Sequence, residues 1–283
     1  MSKKWKINFN DTRWVQLAFI IIFFVTPNIA IQYAVPAAPW TKDFYNEIEK
    51  LKPGDNVWIM WAITSLQDEY EVCGSVIRHI WSKGANIVWT DYSTASQPLA
   101  QRELTELWGA NFKSNPELKY GTRFVYMGWL SGGEAGTAAF IGNPGKTMPM
   151  DQYKTPVSQL PLMTNLVDAS KIKLYVGFQM GPFAGPGGGE QLVGLAPIYG
   201  YHVIYTAGTP QVGGAFMSRY VSRVVEGCLC GVRGAAEYAT LRGESNTVFA
   251  YMNSWITICL LATMSLIIIN IRYVRTLAKG GAK

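Results

Sequence analysis

The chain has 283 residues, a net charge of +6 and a pI near 9.0, with 49% hydrophobic and only 16% charged residues. Ordinary soluble proteins carry roughly 25% charged residues, so this composition points to membrane segments or large buried surfaces. The positive charge sits in the tails: Lys3, Lys4, Lys6 and Arg13 against Asp11 give +3, and Arg272, Arg275, Lys279 and Lys283 give +4, which leaves −1 for everything between. A near-neutral middle lacks the phosphate-attracting field that nucleic-acid binding needs, so no nucleic-acid partner is expected.

After the basic tail at 1–14, residues 15–35 run uncharged, with Trp14 and Tyr33 near the ends where amphipathic rings prefer the interface. At 1.5 Å per residue this run spans roughly 31 Å, the thickness of a hydrocarbon core. It lacks a small-residue cleavage site before Pro36, which favours a transmembrane helix over a cleaved signal peptide. Asn28 and Gln32 share one face of it.

Residues 36–249 form the expected soluble domain. Five short apolar runs mark strands at Val57–Ile63, Ile87–Tyr92, Phe124–Leu130, Leu174–Met180 and Val203–Ala207. All are rich in β-branched or aromatic residues and apolar on both faces, as strands of a covered parallel sheet are. A helix starts at Ser65, with Asp68 at capping-box spacing, carries Tyr70, Cys73, Ile77 and Ile80, and ends at Gly84. Ser96 opens a second helix with Pro98 in its first turn. The alternation predicts an α/β fold: a doubly wound, mainly parallel sheet of about five strands, flanked by one N-terminal and one C-terminal transmembrane helix.

Residues 216–243 read as a glycine-rich helix in which Gly227 and Gly231, followed by Gly234, leave a flat groove that another subunit or the domain's own sheet could fill. Ala250–Ile271 is the second uncharged run, with Asn253 and Thr257 on one face and Arg272 directly after it. The basic tail 272–283 closes the chain. Because both tails are basic, both are expected in the cytoplasm, with residues 36–249 outside it.

Open α/β sheets bind ligands beyond the carboxyl ends of their strands. The residues expected there are Thr64, Ser65, Asp91, Gly132, Gly133 and Glu134, their hydroxyls and amides serving as donors and their carboxylates as acceptors. Neither Gly-x-Gly-x-x-Gly nor a P-loop follows any strand, so no nucleotide cofactor is expected, and Asp91 reads as a strand-end carboxylate. The glycines at 132–133 read first as a tight turn, and those at 185–189 as a flexible loop. His79 and His202 have no ligand-spaced partners, so no metal is expected. Cys73, Cys228 and Cys230 read as buried thiols, with a disulfide from Cys73 to one of the other two as the alternative.

Five segments carry a resemblance: KPGDNVWIMW at 52–61, IRHIWSKGANIV at 77–88, YGTRFVYMGWLSGGEA at 120–135, YKTPVSQLPLM at 153–163 and GVRGAAEYATL at 231–241. In these the chain resembles a family of membrane-anchored prokaryotic proteins, from which it departs around 181–195. The resemblance implies a Rossmann-like α/β domain beside membrane helices, and it implies no reaction. The function expected is a non-catalytic, membrane-anchored subunit of a homo-oligomeric assembly, its partners being lipid and further subunits. Gly227, Gly231, Gly234, Asn253 and Thr257 are its expected contacts. The alternative is a small-ligand-binding protein or enzyme using the crevice at the strand ends.

Overall fold

The structure is a computed structural model that describes residues 36–64, 70–178, 189–208, 217–244 and 247–280, together with 16, 17, 19–21 and 25. It divides into two compact units, residues 34–244 and residues 1–33 with 245–283. Apart from residues 16, 17, 19–21 and 25, which are helical, the first expected membrane helix lies outside the described residues, as do Ser65, Asp68 and the glycines at 185–188.

The larger unit is built on six strands: β1 (Asn56–Trp61), β2 (Asn86–Asp91), β3 (Phe124–Trp129), β4 (Ile172–Phe178), β5 (His202–Ala207) and β6 (Gly227–Cys230). All pair in parallel, in the order 3-2-1-4-5-6. This is the doubly wound order, in which the chain reverses direction across the sheet between β1 and β4. The expected strands are present, and β6 is an addition. It carries only four residues, two of them cysteine and one glycine, and so lacks the β-branched run that marks the others.

Both faces of the sheet are covered, which is why β1 and β2 are buried at every position after the first. One face places Trp58, Val88, Val125, Tyr175 and Val203 against Phe140 and Leu192. Phe140 belongs to α4 (Gly133–Gly142) and Leu192 to α7 (Gly189–Tyr199). On the other face Trp61 stacks on Trp89 at 5.0 Å and meets Phe178 and Tyr70 edge-on. Tyr70 opens α2 (Tyr70–Ser82), which α3 (Gln97–Trp108) follows along the chain. Each large apolar side chain so buried contributes about 1.5–3 kcal/mol. Short helices α5 (Pro144–Thr147) and α6 (Pro161–Asn165) lie in the crossover from β3 to β4, and α8 (Met217–Val221) precedes β6.

The domain opens on a helix, α1 (Pro39–Glu49), which packs on β6 and on α9 (Gly231–Arg242). Its N-cap, Ala38, has no side chain that can cap. Glu237 of α9 supplies the missing acceptor: its Oε2 takes the Ala38 amide at 3.0 Å and the Thr41 hydroxyl at 2.7 Å, and Arg233 holds its Oε1 at 2.8 Å. A buried carboxylate at a helix N-terminus satisfies orphan amides and complements the helix dipole.

In the second unit, α10 (Thr247–Gly280) is a single 34-residue helix. Its stretch Ile256–Arg275 is long and apolar enough to cross a membrane, by length and composition. The side chains there are turned outward: Leu260 is 58% exposed, Leu266 60% and Ile269 61%.

Candidate functional site

The parallel order brings the carboxyl ends of β1, β2 and β3 side by side, so Thr64, Asp91 and the turn at Gly132 share one edge of the sheet. Thr64 is exposed just beyond β1, while Ser65 lies outside the described residues. Gly132 and Gly133 have φ of +94° and +54°, the left-handed region that the turn reading requires. They lead into α4, and Glu134 stands exposed in its first turn. A side chain at Gly136 would meet the Ser131 carbonyl oxygen at 1.8 Å, so the turn is packed against its own helix.

Asp91 behaves differently from a solvent-facing strand-end acid. It is fully buried, and its carboxylate accepts from the Trp89 indole at 3.2 Å and, through a short contact, from the Tyr126 hydroxyl. Burial outweighs both hydrogen bonds and pushes its pKa up to about 7. Tyr126 in turn packs on Tyr153, whose hydroxyl pairs with the Gln101 side chain. The segment carrying Tyr153 is pinned by Asp151, which accepts from the Tyr120 hydroxyl at 2.7 Å and from the amides of Tyr153 and Thr155. Beside it, Gly128 has φ +79° at a register shift in β3, with Gln152 filling the space where a β-carbon would sit. The edge thus holds an acid that keeps its proton to near neutrality inside an aromatic layer, and it presents the half-exposed Trp129, Thr64 and Glu134 outside.

Sequence reasoning singled out Asp91 but missed Tyr126, Gln101, Tyr153 and Asp151. Tyrosines within or near apolar runs carry no periodic signal, and their convergence needs the crossover from β3 to β4 to fold back over β3.

The amino end of the sheet has a second polar region. Glu47 of α1 accepts from His202 Nδ1 at 2.7 Å, and two open clefts of about 660 and 500 Å³ lie along α1 there. His79 is held between Glu49 and the Tyr238 hydroxyl, and burial lowers its pKa. Among the described residues, no group of three or more His, Cys, Asp or Glu side chains is placed to hold a metal ion.

The glycine-rich segment requires a correction. It is not one helix: residues 217–221 are α8, Gly227 lies in β6, and Gly231 begins α9. A β-carbon on Gly227 would stand 2.3 Å from the Phe44 amide nitrogen and 2.5 Å from its Cα, so α1 of the same domain fills that space. Gly234 is likewise occupied by the Leu229 backbone. Gly227 and Gly234 therefore serve packing within the domain. Gly231 is also buried. On α10, Asn253 is buried, and the Thr257 hydroxyl donates to the Asn253 backbone carbonyl at 2.7 Å. None of the four cysteines is joined in a disulfide.

Comparison with protein-family models, with curated proteins and with solved structures returns no match to this chain.

Proposed function

We propose that this protein is a membrane-anchored accessory subunit of a homo-oligomeric membrane assembly. In this reading the chain crosses the bilayer twice, the tails lie in the cytoplasm and the α/β unit stands outside. The observation that carries it is α10. A stretch of twenty residues keeps Leu260, Leu266 and Ile269 mostly exposed. In water such a surface is an aggregation hazard, whereas in lipid it is the lower-energy state. Arg272 and Arg275 follow the apolar run, and the first tail carries +3, so the positive-inside rule supports a cytoplasmic position for both. With the Gly227 space filled by α1, self-association falls to the membrane segments, where Asn28 and Gln32 give the first anchor a polar face that lipid does not satisfy.

Protease added to sealed spheroplasts, with epitope tags on both tails, tests the topology. Digestion of the domain with both tails spared is expected, and a protected domain refutes the orientation. Native mass spectrometry of the detergent-solubilised particle tests the assembly, and a monomer refutes it.

A second reading, a small-ligand site at the carboxyl edge, is favoured by the 3-2-1-4-5-6 order, which opens a crevice beyond β1 and β4 in doubly wound sheets. A thermal-shift screen with sugar phosphates examines it: a rise in Tm that Thr64→Val or Glu134→Ala abolishes supports ligand binding, and a flat screen opposes it.

A further inference from the structure

Cys228 and Cys230 flank Leu229 in β6, the edge strand of the sheet. Side chains two apart on a strand point to the same face, and here the two sulfurs lie 3.5 Å from each other without a bond between them. Their surroundings differ. Cys228 is fully buried, whereas Cys230 is partly exposed and forms the N-cap of the twelve-residue α9. The Cys230 side chain makes no capping hydrogen bond to the α9 amides, so a thiolate there is stabilised by its neighbouring sulfur. The Cys228 thiol adds a hydrogen bond to that thiolate, so Cys230 is pushed below the ordinary cysteine range against the opposing effects of burial and Glu237, while Cys228 is pushed up. An accessible sulfur of nucleophilic character beside a buried protonated one is the division of labour that thiol–disulfide exchange requires.

We propose that Cys228 and Cys230 form a redox-active dithiol that reduces low-molecular-weight disulfides. The Cys230 thiolate attacks one sulfur of the disulfide, a Cys230 mixed disulfide forms, and the first thiolate leaves. The Cys228 sulfur, giving up its proton, then attacks Cys230 Sγ, and the second thiolate leaves. Two electrons pass from the dithiol to the small disulfide. The products are a Cys228–Cys230 disulfide and two small thiols, which carry the protons the cysteines gave up. Closure brings the sulfurs from 3.5 Å to a bond length of about 2.05 Å. Among the described residues β6 pairs with β5 alone, so the sheet ladder on its other side does not resist that movement.

The test uses the full-length chain in detergent, with oxidised glutathione as the probe and alkylation followed by peptide mass spectrometry as the readout. In the reduced protein Cys230 is expected to alkylate at least roughly tenfold faster than Cys228. After treatment with oxidised glutathione, the wild type should carry a Cys228–Cys230 disulfide and retain no glutathione. Cys228→Ser should trap glutathione on Cys230, and Cys230→Ser should leave Cys228 unmodified. If Cys228→Ser fails to fold, Cys228→Ala provides the same trap, and the wild-type disulfide map stands without either variant. The proposal is overturned if glutathione remains on Cys230 of the wild type, if oxidation pairs Cys73 or Cys259 instead, or if the folded chain is inert.

Discussion

Gly227→Ala is the most incisive test of how the larger unit is packed. The added methyl would meet the Phe44 amide nitrogen at 2.3 Å, its Cα at 2.5 Å and its Cβ at 2.9 Å. Two of these atoms are backbone in the middle of α1, so no rotamer change relieves the overlap and either α1 or β6 must shift. Forcing a methyl into packed surroundings costs typically 1–3 kcal/mol, and the rigidity of the neighbour puts this site at about 2–3 kcal/mol. For a domain of this size that lowers Tm by roughly 4–12 °C. The assay is thermal unfolding of the full-length chain in detergent, followed in parallel by native mass spectrometry. Because α1 and β6 belong to the same domain, Tm should fall while the assembly state stays unchanged. Gly194→Ala is the internal control. Gly194 lies inside α7 with nothing within 4 Å of an added β-carbon, so alanine there should raise stability by about 0.5–1 kcal/mol. If Gly227→Ala melts like the wild type, or if it breaks the oligomer at unchanged Tm, the packing argument is wrong and the glycine faces another subunit.

Three further outcomes are expected. The Asp91 pKa is raised by burial to about 7 from an unfolded value near 4, so the native state holds a proton that the unfolded state has lost between those pH values. Stability from this group is therefore present below about pH 4 and is lost as pH rises to 7, by on the order of 4 kcal/mol at most; denaturation measured between pH 5 and 8 should show a decline that Asp91→Asn flattens, and an identical slope in the variant would refute the assignment. Glu237→Ala strands the Ala38 amide and the Thr41 hydroxyl in a buried setting and should cost about 3 kcal/mol, with Glu237→Gln less damaging because its carbonyl still accepts; equal melting of the two would contradict the capping role. Leu260→Arg together with Leu266→Arg should release the protein from membranes washed with carbonate or weaken its insertion markedly, since each arginine near the centre of a membrane helix costs about 2.5–3.5 kcal/mol; retention at wild-type levels would count against α10 as an anchor.

The sequence by itself determined the fold class, five of the six strands and the apolar stretch of α10. These are long-range burial patterns written into consecutive residues: a strand covered on both faces must be apolar throughout, and a lipid-facing helix must exclude charge. It also marked the turn at Gly132, because backbone conformation there is a local property. Only the tertiary structure decided which glycines meet which neighbours. Gly227 and Gly231 have helical spacing along the chain, but a strand ends and a helix begins between them, and the space beside Gly227 is filled by Phe44 of α1, about 180 positions away. The same holds for the layer around Asp91. The sequence placed the acid at a strand end, where an open carboxylate and a buried one look alike. Its protonation near neutrality comes from burial, which outweighs the hydrogen bonds from Tyr126 and Trp89 that favour the charged form, and desolvation is a property of the packed neighbourhood rather than of any residue in it. The two sulfurs at 3.5 Å belong to both categories. Their spacing of two was visible at once, but strand geometry was needed to put them on one face, and the hydrogen bond between them sets them apart in character.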